Sequence, residues 1–193
     1  MDNAEVLQTI SFASPGPQNT EACLQAVKER VEALNLSSVV LASCSGKTAF
    51  KALDLFDPQS VNLVAVTHVT GFRAVDEQEM EYTVRKDLEN RGVRVLTAAH
   101  AFGGVGRGIR QKLNTFQIDE IMAFTLRMFG QGVKVGVELS LMAADAGLVR
   151  TDQAAAVIGG TGSGADSGLV VTPANSHRCL ELKVHEIIAK PRL

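Results

Sequence analysis

Tryptophan is absent, tyrosine occurs once, and aromatic residues make up only 5% of the 193 residues. A surface that stacks bases or sugars needs such rings, so nucleic acid is not an expected partner. Basic residues hold no surplus: 19 Lys and Arg stand against 21 Asp and Glu, a net charge of −2. That balance offers no attraction to nucleic acid or to an anionic membrane. Cysteine is scarce as well. Cys23, Cys44 and Cys179 lie far apart with no Cys-x-x-Cys spacing, which argues against a disulfide scaffold or a structural zinc site and fits a reducing compartment. No apolar run approaches the ~20 residues needed to cross a bilayer. Residues 1–5 carry acids where a secretory signal would carry basic residues. The expected setting is cytoplasmic, with no membrane partner. Linkers and repeats are missing too, so residues 1–193 are expected to form a single domain, with 1–18 as an N-terminal extension.

What remains is ordinary for a globular chain, 46% apolar and 21% charged. After the Pro/Gly-containing start, Asn19 or Thr20 can cap a helix over 21–34, where Cys23, Leu24, Val27 and Val31 recur at helical spacing. Residues 38–43 form a short β-branched run, the pattern of a strand buried on both faces. Residues 48–56 read as a helix, 61–67 as a second buried strand, 77–90 as an amphipathic helix and 93–97 as a third strand. This alternation predicts an α/β fold with right-handed crossovers and a parallel sheet. A glycine-rich loop over 102–108 precedes a helix over 118–129. Residues 132–146 carry both periods and are read as one helix, because a crossover is required before the strand at 155–158. The gap from there to a strand at 168–172 is too short for a helix, which leaves that pair antiparallel. Residues 184–189 read as an edge strand, open to pairing across a homo-oligomer.

Chemistry is expected where the strands end. The first runs through Ser43-Cys44-Ser45-Gly46-Lys47-Thr48 directly into a helix. Glycine admits close approach of a ligand, hydroxyls donate, and a helix start offers free N–H groups to an anion. A P-loop is excluded, because its leading glycine would fall at Leu41; the shorter loop suits one phosphate. The competing reading is a serine-capped turn with no ligand. Cys44 is either a nucleophile activated by the helix start or a packed thiol; Phe50 stands where Cys-x5-Arg would need its arginine. The second strand continues as Thr67-His68-Val69-Thr70-Gly71-Phe72, the third ends near His100, and the fourth runs into Gly159-Gly160-Thr161-Gly162-Ser163-Gly164-Ala165-Asp166. In a doubly wound sheet such loops converge, and ligands bind where the strand order reverses. If the first and fourth strands are neighbours, the 43–48 and 159–166 loops face each other. His68 and His100 are then candidate acid/base groups, or else solvated loop histidines. Arg107 and Arg110 can meet a phosphate or lie exposed. No third ligand stands at metal spacing, so no metal is expected.

These residues also carry a resemblance. The stretch from Val39 to Leu53, with Ser43, Ser45, Gly46, Thr48 and Ala49 at matching positions, resembles the C-terminal domain of pyruvate kinase, in which a similar loop holds a sugar-phosphate effector. Thr67-x-x-Thr70-Gly71-Phe72, Val137-Glu138-x-x-x-Met142-Ala143-Ala144-Asp145-x-Gly147 and the 159–166 loop are similar to a narrower, mostly prokaryotic group of stand-alone domains without the kinase barrel. The resemblance spans 19–192 and implies a three-layer α/β/α fold, mostly parallel with one antiparallel strand. It further implies flavin mononucleotide (FMN) as cofactor. Ser43, Ser45, Gly46 and Thr48 would be its phosphate contacts, with Lys47 adding charge or facing solvent. Thr67, Thr70, Gly71, Phe72 and the loop Gly159, Gly160, Thr161, Gly162, Gly164, Ala165 and Asp166 would meet the ribityl chain and ring; His68 and His100, read above as lying on the same rim, are further candidate ligand contacts. Pyruvate kinase activity is not implied, because it resides in the missing barrel. The readings left open are a flavoprotein with a possible redox role, a non-catalytic module sensing a phosphorylated metabolite, and a phosphoester hydrolase using His68 or His100.

Overall fold

The computed structural model describes residues 6–192; the acidic start, residues 1–5, lies outside them. The two β-branched runs form adjacent central strands, β2 (Ser38–Ala42) and β3 (Asn62–Thr67), paired in parallel with Val40 opposite Val64. Five further strands complete one sheet: β1 (Ile10–Phe12), β4 (Arg94–Thr97), β5 (Ala155–Gly159), β6 (Ser167–Thr172) and β7 (Lys183–Pro191), in the order β1-β7-β6-β5-β2-β3-β4. Only β6 runs against the others, pairing antiparallel with both β5 and β7, as the short connection from β5 requires.

Because successive side chains alternate, each central strand feeds two cores. Val39, Leu41, Leu63 and Ile158 pack with α1 (Thr20–Ala33), α2 (Lys47–Leu53) and α3 (Tyr82–Asn90) on one face. Val40, Val64 and Val157 pack with α5 (Ile118–Arg127) and α6 (Gln131–Asp145) on the other. The result is a three-layer α/β/α fold. Residues 132–145 lie within the single helix α6, closed by Ala146 at its C-cap, which gives the crossover its length.

Several boundaries differ from the sequence reading. Asn19 does not cap α1 with its side chain; the chain enters through a 3-10 turn, Pro17–Asn19, and the Thr20 hydroxyl donates to the Pro17 carbonyl at 2.7 Å. The helix expected from residue 77 begins at Tyr82, because Gln78 and Glu79 turn back to bind the loop after β3. The glycine-rich 102–108 stretch is half helix: α4 spans Val105–Leu113 and carries Arg107 and Arg110. Finally, β7 is not an edge. β1 pairs along it in parallel, Ile10 opposite Ala189, so residues read as an extension complete the sheet and cover the edge once open to oligomer pairing.

No helix among the described residues is long and apolar enough to cross a membrane.

Candidate functional site

The carboxyl ends of β2, β3 and β4 lie side by side, and β5 joins β2 on its other flank, Leu41 opposite Ile158. From β2 the chain winds one way to β3 and β4 and the other way to β5, which is the strand-order reversal where open α/β sheets bind ligands.

In the loop after β2, Ser43 is buried and its hydroxyl accepts from the Ala49 N–H at 3.2 Å. Ser43 therefore holds the turn instead of facing a ligand, which is the capping reading. Gly46 has φ +85° and sits against Val84 and Leu88 of α3. A side chain there would be strained by the left-handed backbone and would collide with Val84. Among the described residues, the N–H groups of Ser45, Gly46, Lys47 and Thr48 find no acceptor. Ser45 and Lys47 are exposed, while Thr48 is buried at the start of α2. Cys44 lies behind this rim. Burial pushes its thiol pKa up, against the opposing pull of the His68 backbone N–H; it is a packed thiol and not an activated one.

After β3 and β4, three rings meet. His68 and Phe72 have centroids 4.1 Å apart, and His100 stands edge-on to both, at 5.3 and 5.1 Å. His68 Nδ1 lies 2.5 Å from Glu79 Oε1, and Arg73 binds the other Glu79 oxygen at 2.9 Å. His68 is thus oriented by Glu79, with 31% of its side chain still exposed. Thr67 is buried, and its hydroxyl meets that of Thr97 at 2.8 Å; Arg85 donates to Thr97 Oγ1 at 3.1 Å. Thr70 and Gly71 are exposed; Gln78 reaches Thr70 Oγ1 at 3.4 Å, and the Gly71 N–H donates to the Glu77 carbonyl at 2.8 Å.

Burial lowers the pKa of His100 from 6.5 to about 4; Glu138 opposes the shift, while His68, Arg107 and Lys134 add to it. The imidazole is neutral at pH 7. Between those two values the unfolded chain binds more protons than the folded one, so stability is lost as the pH falls from 6.5 towards 4. We expect the urea midpoint of the wild type to drop across that interval and the midpoint of His100→Gln to drop less. Parallel profiles would contradict the half-buried neutral ring.

Beneath the rings lies a pair that sequence reasoning missed. Lys134 and Glu138, one turn apart on α6, are both buried and joined at 2.5 Å. The second Glu138 oxygen accepts from the Phe102 N–H at 2.9 Å, which pins the loop after β4 to α6. Glu138 stood in the Val-Glu motif, and the helical i,i+4 spacing to Lys134 was the available signal. Nothing in the sequence, however, showed that this face of the helix was inward.

The 159–166 loop is neighbour to the 43–48 loop through β5 and β2, but its polar groups serve the protein itself. Asp166 is fully buried; its carboxylate accepts from the N–H groups of Gly16 and Thr161, both at 3.1 Å, and from the Ser167 hydroxyl at 2.9 Å. The Ala165 N–H donates to Thr20 Oγ1 at 3.1 Å, and Gly164 packs against Pro17. Gly160 packs on the Gly164 carbonyl. Gly159 is buried and Gly162 exposed. Asp166 is therefore an anchor between β5, β6 and the N-terminal turn. Among the described residues, no three His, Cys, Asp or Glu side chains group as metal ligands do.

Fold and site together define a three-layer α/β/α protein with a turn of unpaired N–H groups and a ring cluster at the switch point of its sheet. No family model matches the chain. Among solved structures it is similar to part of the pyruvate kinase of Cryptosporidium parvum, at 14% identity and a TM-score of 0.37, over 72% of this chain and 20% of that one. It is similar also to that pyruvate kinase in complex with ADP, at 15% identity and a TM-score of 0.40, over 88% and 23%. The chain spans about a fifth of the length of these proteins.

Proposed function

We propose that this protein binds a phosphate-bearing small molecule at the carboxyl ends of β2, β3 and β4, and that the ligand is FMN. The observation that carries the reading is the row of unpaired N–H groups from Ser45 to Thr48, beside the ring cluster of His68, Phe72 and His100. The N–H groups and the Ser45 and Thr48 hydroxyls would take the phosphate. Phe72, an exposed ring on this rim, would meet the flavin ring by stacking. When bound, the flavin supplies redox chemistry. The chain supplies orientation, and His100 is a neutral hydrogen-bonding group at its edge. The resemblance of the 43–48 and 67–72 motifs to flavin-binding stand-alone domains supports the same choice.

The test is the visible absorption of protein purified without added cofactor, before and after heat release, followed by titration with FMN. A flavin spectrum or saturable uptake is expected. Ser45→Ala and Thr48→Ala should each weaken binding about tenfold, the value of one hydrogen bond to a charged group. A colourless protein that takes up no added FMN would overturn the reading.

A further inference from the structure

A second polar pocket lies between α4 and α5, away from the 43–48 loop, with a volume of about 300 Å³. Arg107 and Arg110 enter it from α4 and Glu120 and Arg127 from α5, with Gln111 at its rim. Each guanidinium is stacked on a phenylalanine ring: Arg107 over Phe72 at 5.1 Å, Arg110 over Phe116 at 5.5 Å and Arg127 over Phe124 at 5.1 Å. Stacking fixes the plane of a guanidinium; Arg110 Nε is taken by Glu120 and Arg127 Nε by Gln131 at 2.7 Å, which leaves the terminal amino groups of these arginines to meet an oxyanion. Three guanidinium groups stand against one carboxylate, a surplus of two positive charges.

The carboxylate gives the second, independent indication. The Glu120 side chain is only 9% exposed. Its Oε1 accepts from Arg110 Nε at 2.6 Å, but its Oε2 is buried with no hydrogen-bond partner among the described residues. A buried carboxylate oxygen left without a donor is costly, and native structures rarely leave one so unless a ligand or water completes it.

We infer that this pocket is a binding site for a small phosphate monoester that carries its own hydroxyl group. The phosphate, with a charge of about −1.5 to −2 at pH 7, matches the surplus of the three arginines, and the hydroxyl donates to Glu120 Oε2. The volume sits at the low end of small-molecule pockets, about 300–1,000 Å³, which admits a phosphorylated compound of a few carbons and excludes a flavin nucleotide. The site adjoins the one proposed for FMN, since Arg107 stacks on Phe72, but its polar groups on α4 and α5 are not those of the 43–48 turn, and it does not depend on that turn.

Isothermal titration calorimetry on the full chain, with glycerol 3-phosphate and with propyl phosphate, tests the inference. The two probes share the phosphate and differ in the hydroxyls. Glycerol 3-phosphate should bind, and propyl phosphate at least about tenfold more weakly, because a site built to pair a hydroxyl rejects the analogue without one. Arg127→Gln, a change at a half-buried side chain, should cost about tenfold for both probes. Glu120→Gln should remove the discrimination between them. Ser45→Ala should leave both affinities unchanged, which separates this site from the flavin site. Absence of binding by either probe, equal binding of both, or undiminished binding by a folded Arg127→Gln would each overturn the inference.

Discussion

Glu138→Ala should lower the stability of the protein by about 3–5 kcal/mol, enough to leave a domain of ordinary stability largely unfolded at modest urea. Both members of the Lys134–Glu138 pair are buried, and the change removes only the anion. Two groups lose their partner together: the Lys134 ammonium and the Phe102 N–H that Glu138 Oε1 accepts. Burial already lowers the Lys134 pKa, and Glu138 is the chief group opposing that shift. Without it the ammonium is held charged only by an environment that disfavours charge. The folded pKa then falls further below the ordinary 10.5. In that window the unfolded chain holds more protons than the folded one, so the variant should regain stability as the pH is raised towards 10.5. The double change Lys134→Met with Glu138→Leu should recover much of the loss, since replacing both ions by apolar groups of similar size is often neutral. What it cannot restore is the Phe102 hydrogen bond, so a deficit of about 1–3 kcal/mol should persist. Urea midpoints read all three effects. A single variant as stable as the wild type would mean that water reaches the pair, and a double variant no better than the single would assign the whole loss to Phe102.

The same pair shows where sequence reading ends. The strands of this fold were legible because β2, β3 and β5 are buried on both faces, and such strands write a short continuous apolar run. The single antiparallel strand followed from the short gap before Ser167, and the switch point from the order of the elements. What escaped was everything decided by partners distant in sequence. Tyr82 and not Glu77 starts α3, because Glu79 is taken by His68 and Arg73. β1 has three residues, too few for any period, and exists because β7 offers it an edge. Asp166 looked like a ligand group at the end of a glycine-rich loop; its actual partners are Gly16, Thr161 and Ser167. Arg107 and Arg110 were visible as charges, but the carboxylate that gives them meaning, Glu120, sits on another helix. The residue types of the rim could be read from the sequence, while the side of it that each residue faces could not.

The glycines after β5 divide the same way, and their substitution gives the second large effect. Gly159→Ala should destabilise the protein by about 3 kcal/mol, at or beyond the usual cost of overpacking. A Cβ on Gly159 would overlap the Gly132 carbonyl and stand 3.0 Å from the Gly136 nitrogen. Both are backbone atoms of α6, so no rotamer change can relieve the contact and the helix itself must move off the sheet. Gly162 lies in the loop that follows the strand, with φ +77° and nothing within 4 Å of an added Cβ. Its replacement by Ala should cost only the left-handed backbone term, about 1–2 kcal/mol. The expected result in paired urea melts is therefore a large loss for one glycine and a small one for the other. The moved helix would also carry Lys134 and Glu138 away from Phe102 and the His100 ring. Gly159→Ala should consequently lose FMN affinity along with stability, whereas Gly162→Ala should keep its affinity if the loop glycines serve packing and the cofactor is held by the 43–48 turn. Equal losses of stability in the two variants would contradict the close approach of α6 to β5. A Gly162→Ala protein that stays folded but no longer takes up FMN would return this loop to the binding site.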